Sequence, residues 1–191
     1  MRFMLAAVFV CGTLATARGS DINDPTRETF DRGVALYDAG KFDEAYKVFS
    51  SIDDENLAAM NNVAFMRRRG QGTEKDPKGA EEMYERAAEG GNPRSQADLG
   101  EMLMNGEAGP PDPEAAAGWL TLASAAHHPV AEFELGELYE TGRGVTQNFA
   151  FARELFEDAA ARGVPGAKEH LDALPPAPPE ADAGPTHPAG P

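Results

Sequence analysis

Apolar residues recur along the middle of the chain at intervals that predict pairs of amphipathic helices. One stripe has the i, i+4, i+7, i+8 spacing of a single helix face and consists of Ala131, Leu135, Leu138 and Tyr139. Gly142 ends this helix, because glycine adopts the left-handed C-cap conformation at little cost. A second stripe follows Asn148, a good N-cap residue, and consists of Phe149, Ala152, Leu155, Phe156 and Ala159.

This helix pair belongs to a unit that recurs every 36 residues. Leu99-Gly100 and Leu135-Gly136 are 36 positions apart, and Val63-Ala64 stands 36 positions earlier. Five further columns keep the same register: Gly70, Gly106 and Gly142; Asp76, Asp112 and Asn148; Ala80, Ala116 and Ala152; Ala87, Ala123 and Ala159; Pro93, Pro129 and Pro165. A period of this length indicates stacked supersecondary units.

The columns also predict how the helices begin and pack. Asp76-Pro77 and Asp112-Pro113 should open second helices, since aspartate caps free amides and proline suits the first helical position. The alanines of the Ala80 column should lie where the two helices of a unit cross. The large side chains of this packing should come from the column of Tyr84, Leu120 and Phe156. Trp119 shares its column with Met83 and Leu155, which predicts a core position.

The third unit carries a longer motif, which comprises Ala131-Glu-Phe-Glu-Leu-Gly-Glu-Leu-Tyr139, Gly142-x-Gly144-Val145, Asn148, Ala152, Ala159-Ala160 and Gly163. This motif resembles a Sel-1-like repeat of the tetratricopeptide superfamily. Unit one departs from it at Val63-Ala64, and unit two has Ala108 in place of the second glycine. Upstream, Gly33, Gly40-Lys41-Phe42, Ala45 and Phe49 resemble a plain tetratricopeptide unit.

The resemblance implies an all-α fold, a right-handed α-solenoid of helix pairs whose first helices line a concave groove. We expect four units at about 26–56, 57–92, 93–128 and 129–164, followed by a capping helix within 165–174. The resemblance also implies a scaffold that binds a partner protein or peptide in that groove.

The two ends of the chain have other compositions. Residues 1–17 have Arg2, an apolar stretch and Ala15-Thr16-Ala17, which predict a secretory signal peptide cleaved before Arg18. Residues 18–25 then form a linker. Residues 175–191 contain seven of the 15 prolines and favour a disordered tail over a folded element. The sequence therefore predicts an exported protein, periplasmic or secreted.

Charge and cysteine content argue against several classes of function and structure. Of 191 residues, 32 are Asp or Glu and 17 are Lys or Arg, a net charge of −15 that disfavours nucleic acid as a partner. No apolar run follows the signal, so no stable membrane insertion is expected after cleavage. Cys11 is the one cysteine and lies within the signal, which excludes a disulfide framework. The oligomeric state and the partner's identity stay open.

No residue pattern predicts catalysis, a cofactor or a metal site. His127-His128 precedes Pro129 at an inter-unit turn without neighbouring cysteine or histidine donors. The repeated glycine pairs lack the Lys-Ser/Thr of a phosphate-binding loop and are typical of helix caps. Two alternatives remain: a β-lactam-binding or hydrolysing enzyme, as in exported Sel-1-like repeat proteins with paired cysteines, or a structural envelope spacer that binds polysaccharide.

Arg67-Arg68-Arg69 is a local exception in an acidic chain. These arginines end a predicted helix, where positive charge complements the helix dipole. In the superfamily register, the column of Arg68 and Glu140 faces the concave groove, as does the column of Phe65, Glu101 and Glu137. The groove should therefore be basic near unit one and acidic near unit three. The partner-binding candidates are Phe65, Arg68, Arg69, Glu101, Asn105, Glu137 and Glu140.

Overall fold

A computed structural model describes residues 26–176, so the predicted signal, the linker and the tail beyond Pro176 lie outside the described residues. Within this range the chain forms nine helices and no strand. They are α1 (Arg27–Asp38), α2 (Phe42–Phe49), α3 (Leu57–Arg69), α4 (Pro77–Glu89), α5 (Pro93–Asn105), α6 (Pro113–Ala125), α7 (Pro129–Thr141), α8 (Phe149–Ala161) and α9 (Ala167–Ala173).

Helices pack with their neighbours in the chain, first within a pair and then between pairs. The pairs are α1 with α2, α3 with α4, α5 with α6 and α7 with α8, and α9 closes the stack on α8. This arrangement confirms the predicted all-α right-handed solenoid with a C-terminal capping helix. None of the helices within residues 26–176 combines the length and apolar character that a membrane span requires.

Helix ends follow the predicted caps. The side chains of Asp76, Asp112 and Asn148 each accept a hydrogen bond from the backbone amide three residues later, at 2.9, 3.0 and 3.1 Å. Gly70, Gly106 and Gly142 end α3, α5 and α7 in the left-handed conformation, with φ of +70°, +66° and +73°. Repeated cap chemistry thus fixes the boundaries of these three helix pairs.

Within a pair, a small residue on the first helix faces a large one on the second. A Cβ added at Gly100 would lie 2.7 Å from the Leu120 side chain, and one added at Gly136 would lie 2.7 Å from the Phe156 ring. The alanines of the Ala80 column are completely buried, as predicted. Trp119 is partly buried and packs against the core.

Between units, the second glycine of the turn allows close backbone approach. A Cβ on Gly72 would overlap the carbonyl of Phe42, and one on Gly144 would overlap the carbonyl of Pro113. Both glycines also have positive φ, +70° and +75°. The turn therefore rests directly on the first turn of the preceding unit's second helix.

The residue after each C-cap glycine reaches back to the preceding unit. The Tyr37 hydroxyl donates to Oε1 of Gln71 at 2.8 Å, and Arg143 donates to the Met104 carbonyl at 2.6 Å. Glu107, at the equivalent position of unit two, accepts from Arg68 of unit one. This single position supplies a polar bond at three successive interfaces between units.

Candidate functional site

Side chains of the first helices contact one another from unit to unit and form what we call the inner face, on α3, α5, α7 and α9. Asn61 of α3 donates to Oδ2 of Asp98 at 2.9 Å. Nδ1 of His170 on α9 lies 2.7 Å from Oε2 of Glu140 on α7. At matching positions of these four helices, one column of the 36-residue repeat forms a row across the units, namely Asn62, Asp98, Glu134 and His170.

Arg68 is a bridge between units one and two. Its side chain is 9% exposed, and Nη1 donates to Oε2 of Glu101 at 2.7 Å. Nε donates to Oε2 of Glu107 at 2.8 Å, and Nη2 binds the other oxygen of the same carboxylate. This hydrogen-bonded guanidinium holds the pKa of Glu107 below its ordinary value. The charge of Arg68 is therefore balanced within the fold.

The two flanking arginines have different surroundings. Nε of Arg67 donates to the Tyr46 hydroxyl of the preceding unit at 3.1 Å. Arg69 is exposed, and its guanidinium carbon lies 4.9 Å from the centroid of the Phe65 ring. Three consecutive arginines thus serve three separate contacts, and Arg69 is the one exposed to solvent beside the inner face.

Carboxylates crowd the middle of the inner face. Burial and, to a smaller extent, the nearby charges of Glu101, Glu137 and Asp98 together raise the pKa of Glu134 to about 8, against a small opposite effect of Arg68. Oε2 of Glu134 is buried and has no hydrogen-bond partner among the described residues. Burial also raises the pKa of Asp98, against the effect of the hydrogen bond from Asn61. Burial thus favours the neutral form of both carboxyl groups, and a cation placed beside them would favour the charged form.

His170 terminates this acidic row on the capping helix. Besides its bond to Glu140, its Nε2 lies 3.7 Å from Oε1 of Glu137. Burial raises the pKa of Glu137, and the histidine partly counteracts this effect. The ring also packs edge-on against Phe133, with centroids 5.3 Å apart. The capping helix thus contributes a side chain to the inner face as well as covering the end of the stack.

An apolar pocket adjoins the inner face at its N-terminal end. Together with its open mouth it measures about 360 Å³. Apolar side chains form its walls and one arginine lies at its edge; these are Val34, Tyr37, Phe49, Phe65, Met66 and Arg94. Asn62 also lines it, which places the pocket in the same row as Asp98 and Glu134. Nε of Arg94 lies 3.7 Å from Oδ2 of Asp98, so pocket and carboxylates are adjacent.

The predicted groove residues fall into three groups. Arg68 contacts Glu101, Arg69 contacts Phe65, and His170 links Glu137 to Glu140. Asn105 is exposed at the end of α5 and joins none of these contacts. That the seven residues bind a partner stays a prediction.

Sequence reasoning did not single out four residues that shape the face, namely Asp98, Glu107, Glu134 and His170. The signal that finds three of them is the 36-residue column of Asn62, in which every later member is titratable. Glu107 shares a column with Gln71 and Arg143, whose common role is visible only once the turns are folded.

The histidine pair is part of a turn, as predicted. His127 has φ of +59° at the position that Gly91 and Gly163 occupy in the neighbouring units. His128 is the N-cap of α7, and its Nδ1 lies 3.4 Å from the amide of Ala131. Within residues 26–176 the structure contains no group of three or more His, Cys, Asp or Glu side chains arranged to hold a metal ion.

Comparison with known proteins identifies the repeat. The family model described as "Sel1 repeat" matches residues 57–92, 93–128 and 129–164, which is more than half of the chain. The chain belongs to the Sel1 repeat family. Proteins of this family generally act as protein-interaction scaffolds and not as catalysts. No curated protein sequence matches the chain.

Two solved Sel1 repeat structures are similar to this one. A Sel1 repeat protein from Oxalobacter formigenes shares 34% identity at a TM-score of 0.70, covering 74% of this chain and 58% of its own. The protective antigen c5321 of uropathogenic Escherichia coli, described as having an SLR fold, shares 23% identity at a TM-score of 0.72. That match covers 78% of this chain and 33% of the antigen. This chain therefore spans about a third to three fifths of these relatives.

Proposed function

We propose that this Sel1 repeat chain is an exported, non-catalytic scaffold that binds a partner protein on its inner face. The observation that carries the proposal is Glu134, whose carboxylate has a buried oxygen without a partner among residues 26–176. Folded proteins usually satisfy such groups, and an exception calls for an explanation. A bound partner supplies one if the Glu134 carboxyl group turns outward and accepts its hydrogen bond.

The arrangement of the face supports the same function. Phe65, Arg69 and the carboxylates of α5 and α7 lie in rows across successive units, so a partner can contact several units at once. The polar bonds between units, such as that of Arg68 with Glu107, give this surface a fixed shape. A preorganised surface loses less conformational entropy on binding than a mobile one.

Site-specific photocrosslinking tests the proposal. A photoreactive phenylalanine analogue at Phe65, in the organism that makes the protein, should capture a partner that mass spectrometry then identifies. The matched control is the same analogue at Leu122, which is 52% exposed on the second helix α6. Capture at Leu122 but not at Phe65 would contradict binding on the inner face.

Export requires a separate test, because it rests on the sequence of residues 1–17. N-terminal sequencing of the protein purified from its native cells should begin at Arg18. A protein that retains Met1 or Arg2 would contradict cleavage of a signal peptide.

A further inference from the structure

The apolar pocket and the acidic row form one continuous path on the inner face. Asn62 and Phe65 line the pocket on α3. One repeat later, the same columns hold Asp98 and Glu101 on α5, and two repeats later Glu134 and Glu137 on α7. A ligand that crosses the units along these columns therefore meets an apolar pocket first and carboxylates next.

In the part of the chain that the structure describes, the fold's own basic side chains bind carboxyl groups on either side of Glu134 and form no hydrogen bond with Glu134 itself. Arg68 is bound by Glu101 and Glu107, and Arg94 lies at Asp98. His170 lies at Glu140 and Glu137, at the far end of the path. Between these side chains, Glu134 has a buried oxygen without a hydrogen-bond partner among residues 26–176. A cation supplied by a ligand would occupy this position favourably.

We infer that the inner face binds an extended segment of a partner protein, with an apolar side chain in the pocket and Lys or Arg side chains over the carboxyl groups of α5 and α7. This inference rests on the proposed function and adds the chemistry of the partner. Charge complementarity decides the occupant: the carboxylates disfavour an acidic segment, and the pocket favours a segment that also has an apolar anchor.

Geometry sets the spacing of the anchor and the basic residues. Packed helices lie about 8–10 Å apart, and an extended chain advances about 3.3 Å per residue. One repeat along the path therefore corresponds to about three residues of ligand. Basic side chains should fall about three and six positions from the apolar anchor.

Synthetic peptides with blocked ends test this chemistry on the full chain by isothermal titration calorimetry. The probe is acetyl-Leu-Gly-Ser-Lys-Gly-Ser-Lys-amide, with its reversed sequence included because either chain direction fits the spacing. One control peptide replaces both lysines by glutamates, and a second replaces the leucine by serine. The better lysine peptide should bind at least about tenfold more tightly than either control.

Variants of the protein test whether the peptide binds along this path. Glu137→Lys should weaken binding of the lysine peptide at least about tenfold and strengthen binding of the glutamate peptide. The matched control, Glu157→Lys, changes an exposed residue of the second helix α8 by the same charge and should alter neither affinity by more than about twofold.

Proton release on binding is a second measurement, and it would not occur if Glu134 had only a structural role. Glu134 is largely protonated at pH 7, because its pKa is raised to about 8. A lysine placed over it should expel up to about one proton, measured from binding heats in two buffers of different ionisation enthalpy. The Glu134→Gln variant should release none.

Two results would overturn the inference. One is equal binding of the lysine and glutamate peptides, and the other is the absence of binding by any of the peptides at millimolar concentration. Photocrosslinking at Phe65 decides the proposed function independently. If a partner is captured at Phe65 but the protein shows no preference for the lysine peptide, the scaffold function stands. The inference of a ligand with basic side chains and an apolar anchor is then refuted.

Discussion

At the scale of single residues, Glu132 shows how a buried charge holds one turn between units. Its side chain is 2% exposed, and Nη1 of Arg162 contacts both carboxylate oxygens, at 2.9 and 3.1 Å. The same nitrogen donates to the carbonyl of His127 at 2.6 Å. Gln96, one repeat earlier, instead binds the Ala88 carbonyl directly at 3.1 Å. Glu132 thus reaches the preceding unit through Arg162, 30 positions away, whereas Gln96 reaches its preceding unit by itself.

Removing this partner should destabilise the fold. Arg162→Ala leaves the Glu132 carboxylate buried without a cation, and we expect the free energy of unfolding to fall by about 2–3 kcal/mol. This is less than for a fully buried pair, because a third of Arg162 is exposed. The control is Lys168→Ala, which breaks an exposed pair with Asp172 and should cost about 0.5 kcal/mol or less. Urea unfolding measures both, and equal costs would contradict the structural role of Glu132.

Glu134 should make stability depend on pH. Its pKa in the folded protein, about 8, lies above the ordinary value of 4.5. Between these values the folded state retains a proton that the unfolded state has lost. Its contribution to stability is therefore complete below about pH 4.5 and is lost as the pH rises through about 8, at roughly 1 kcal/mol per pH unit.

Glu134→Gln removes this titration while keeping the shape of the side chain. We expect the variant to melt at a higher temperature than the natural protein at pH 8, with the difference shrinking toward pH 5. Glu157→Gln, on the exposed side of α8, serves as the control and should show no pH-dependent difference. A constant difference between Glu134→Gln and the natural protein from pH 5 to pH 8 would refute the raised pKa.

At the scale of helices and turns, Gly144 is required by the preceding unit as well as by its own backbone. Gly144→Ala adds a Cβ that overlaps the carbonyl of Pro113, at a residue whose φ is +75°. We expect a loss of about 2 kcal/mol or more in the free energy of unfolding. Gly163→Ala has a similar φ of +76° but nothing within 4 Å of the added atom, so it should cost only about 1 kcal/mol.

Replacing a third glycine should change the free energy of unfolding in the opposite direction. Gly118 lies within α6 with open space around the position of an added Cβ. Gly118→Ala should stabilise the protein by about 0.5–1 kcal/mol, because alanine favours the helix. In thermal or urea unfolding, the variants should rank from most to least stable as Gly118→Ala, Gly163→Ala and Gly144→Ala, and this ranking checks the packing of the turns. Similar costs at Gly163 and Gly144 would contradict the close approach between units.

The helices and their caps could be predicted from sequence, because a strict period repeats the same local chemistry. Asp76, Asp112 and Asn148 act through backbone amides three residues away, so spacing alone identifies them. The contacts of the inner face could not be predicted in this way. Arg68 meets Glu107 across 39 residues, and the meeting depends on the conformation of a turn in which Ala108 replaces the usual glycine.

Burial was the other property that sequence could not supply. The pattern identified Glu101, Glu137 and Glu140 as charges of the groove, and their columns do lie together. It did not distinguish them from Glu134, which has one carboxyl oxygen buried in the folded chain. Repeat spacing determines which residues share a row, whereas the depth of each residue depends on side chains from several units.

At the scale of the whole molecule, stability passes from unit to unit, as in other solenoids. Leu135 is 1% exposed and lies in a core cluster that joins α5 through α8. Leu135→Asp buries an unpaired carboxylate there, and we expect α7, α8 and α9 to lose hydrogen-exchange protection before α3 and α4. Circular dichroism should show lower helicity at 25 °C. An unchanged melt would contradict the position of Leu135.

Binding of a partner with basic and apolar side chains to the inner face can be followed at each residue. The most direct measurement is nuclear magnetic resonance of the full ¹⁵N-labelled chain, titrated with the Leu-Gly-Ser-Lys-Gly-Ser-Lys peptide or its reverse. We expect chemical shift changes confined to amides of α1, α3, α5 and α7 around Tyr37, Phe65, Glu101 and Glu137. Changes centred on α4, α6 and α8, or none at saturating peptide, would contradict it.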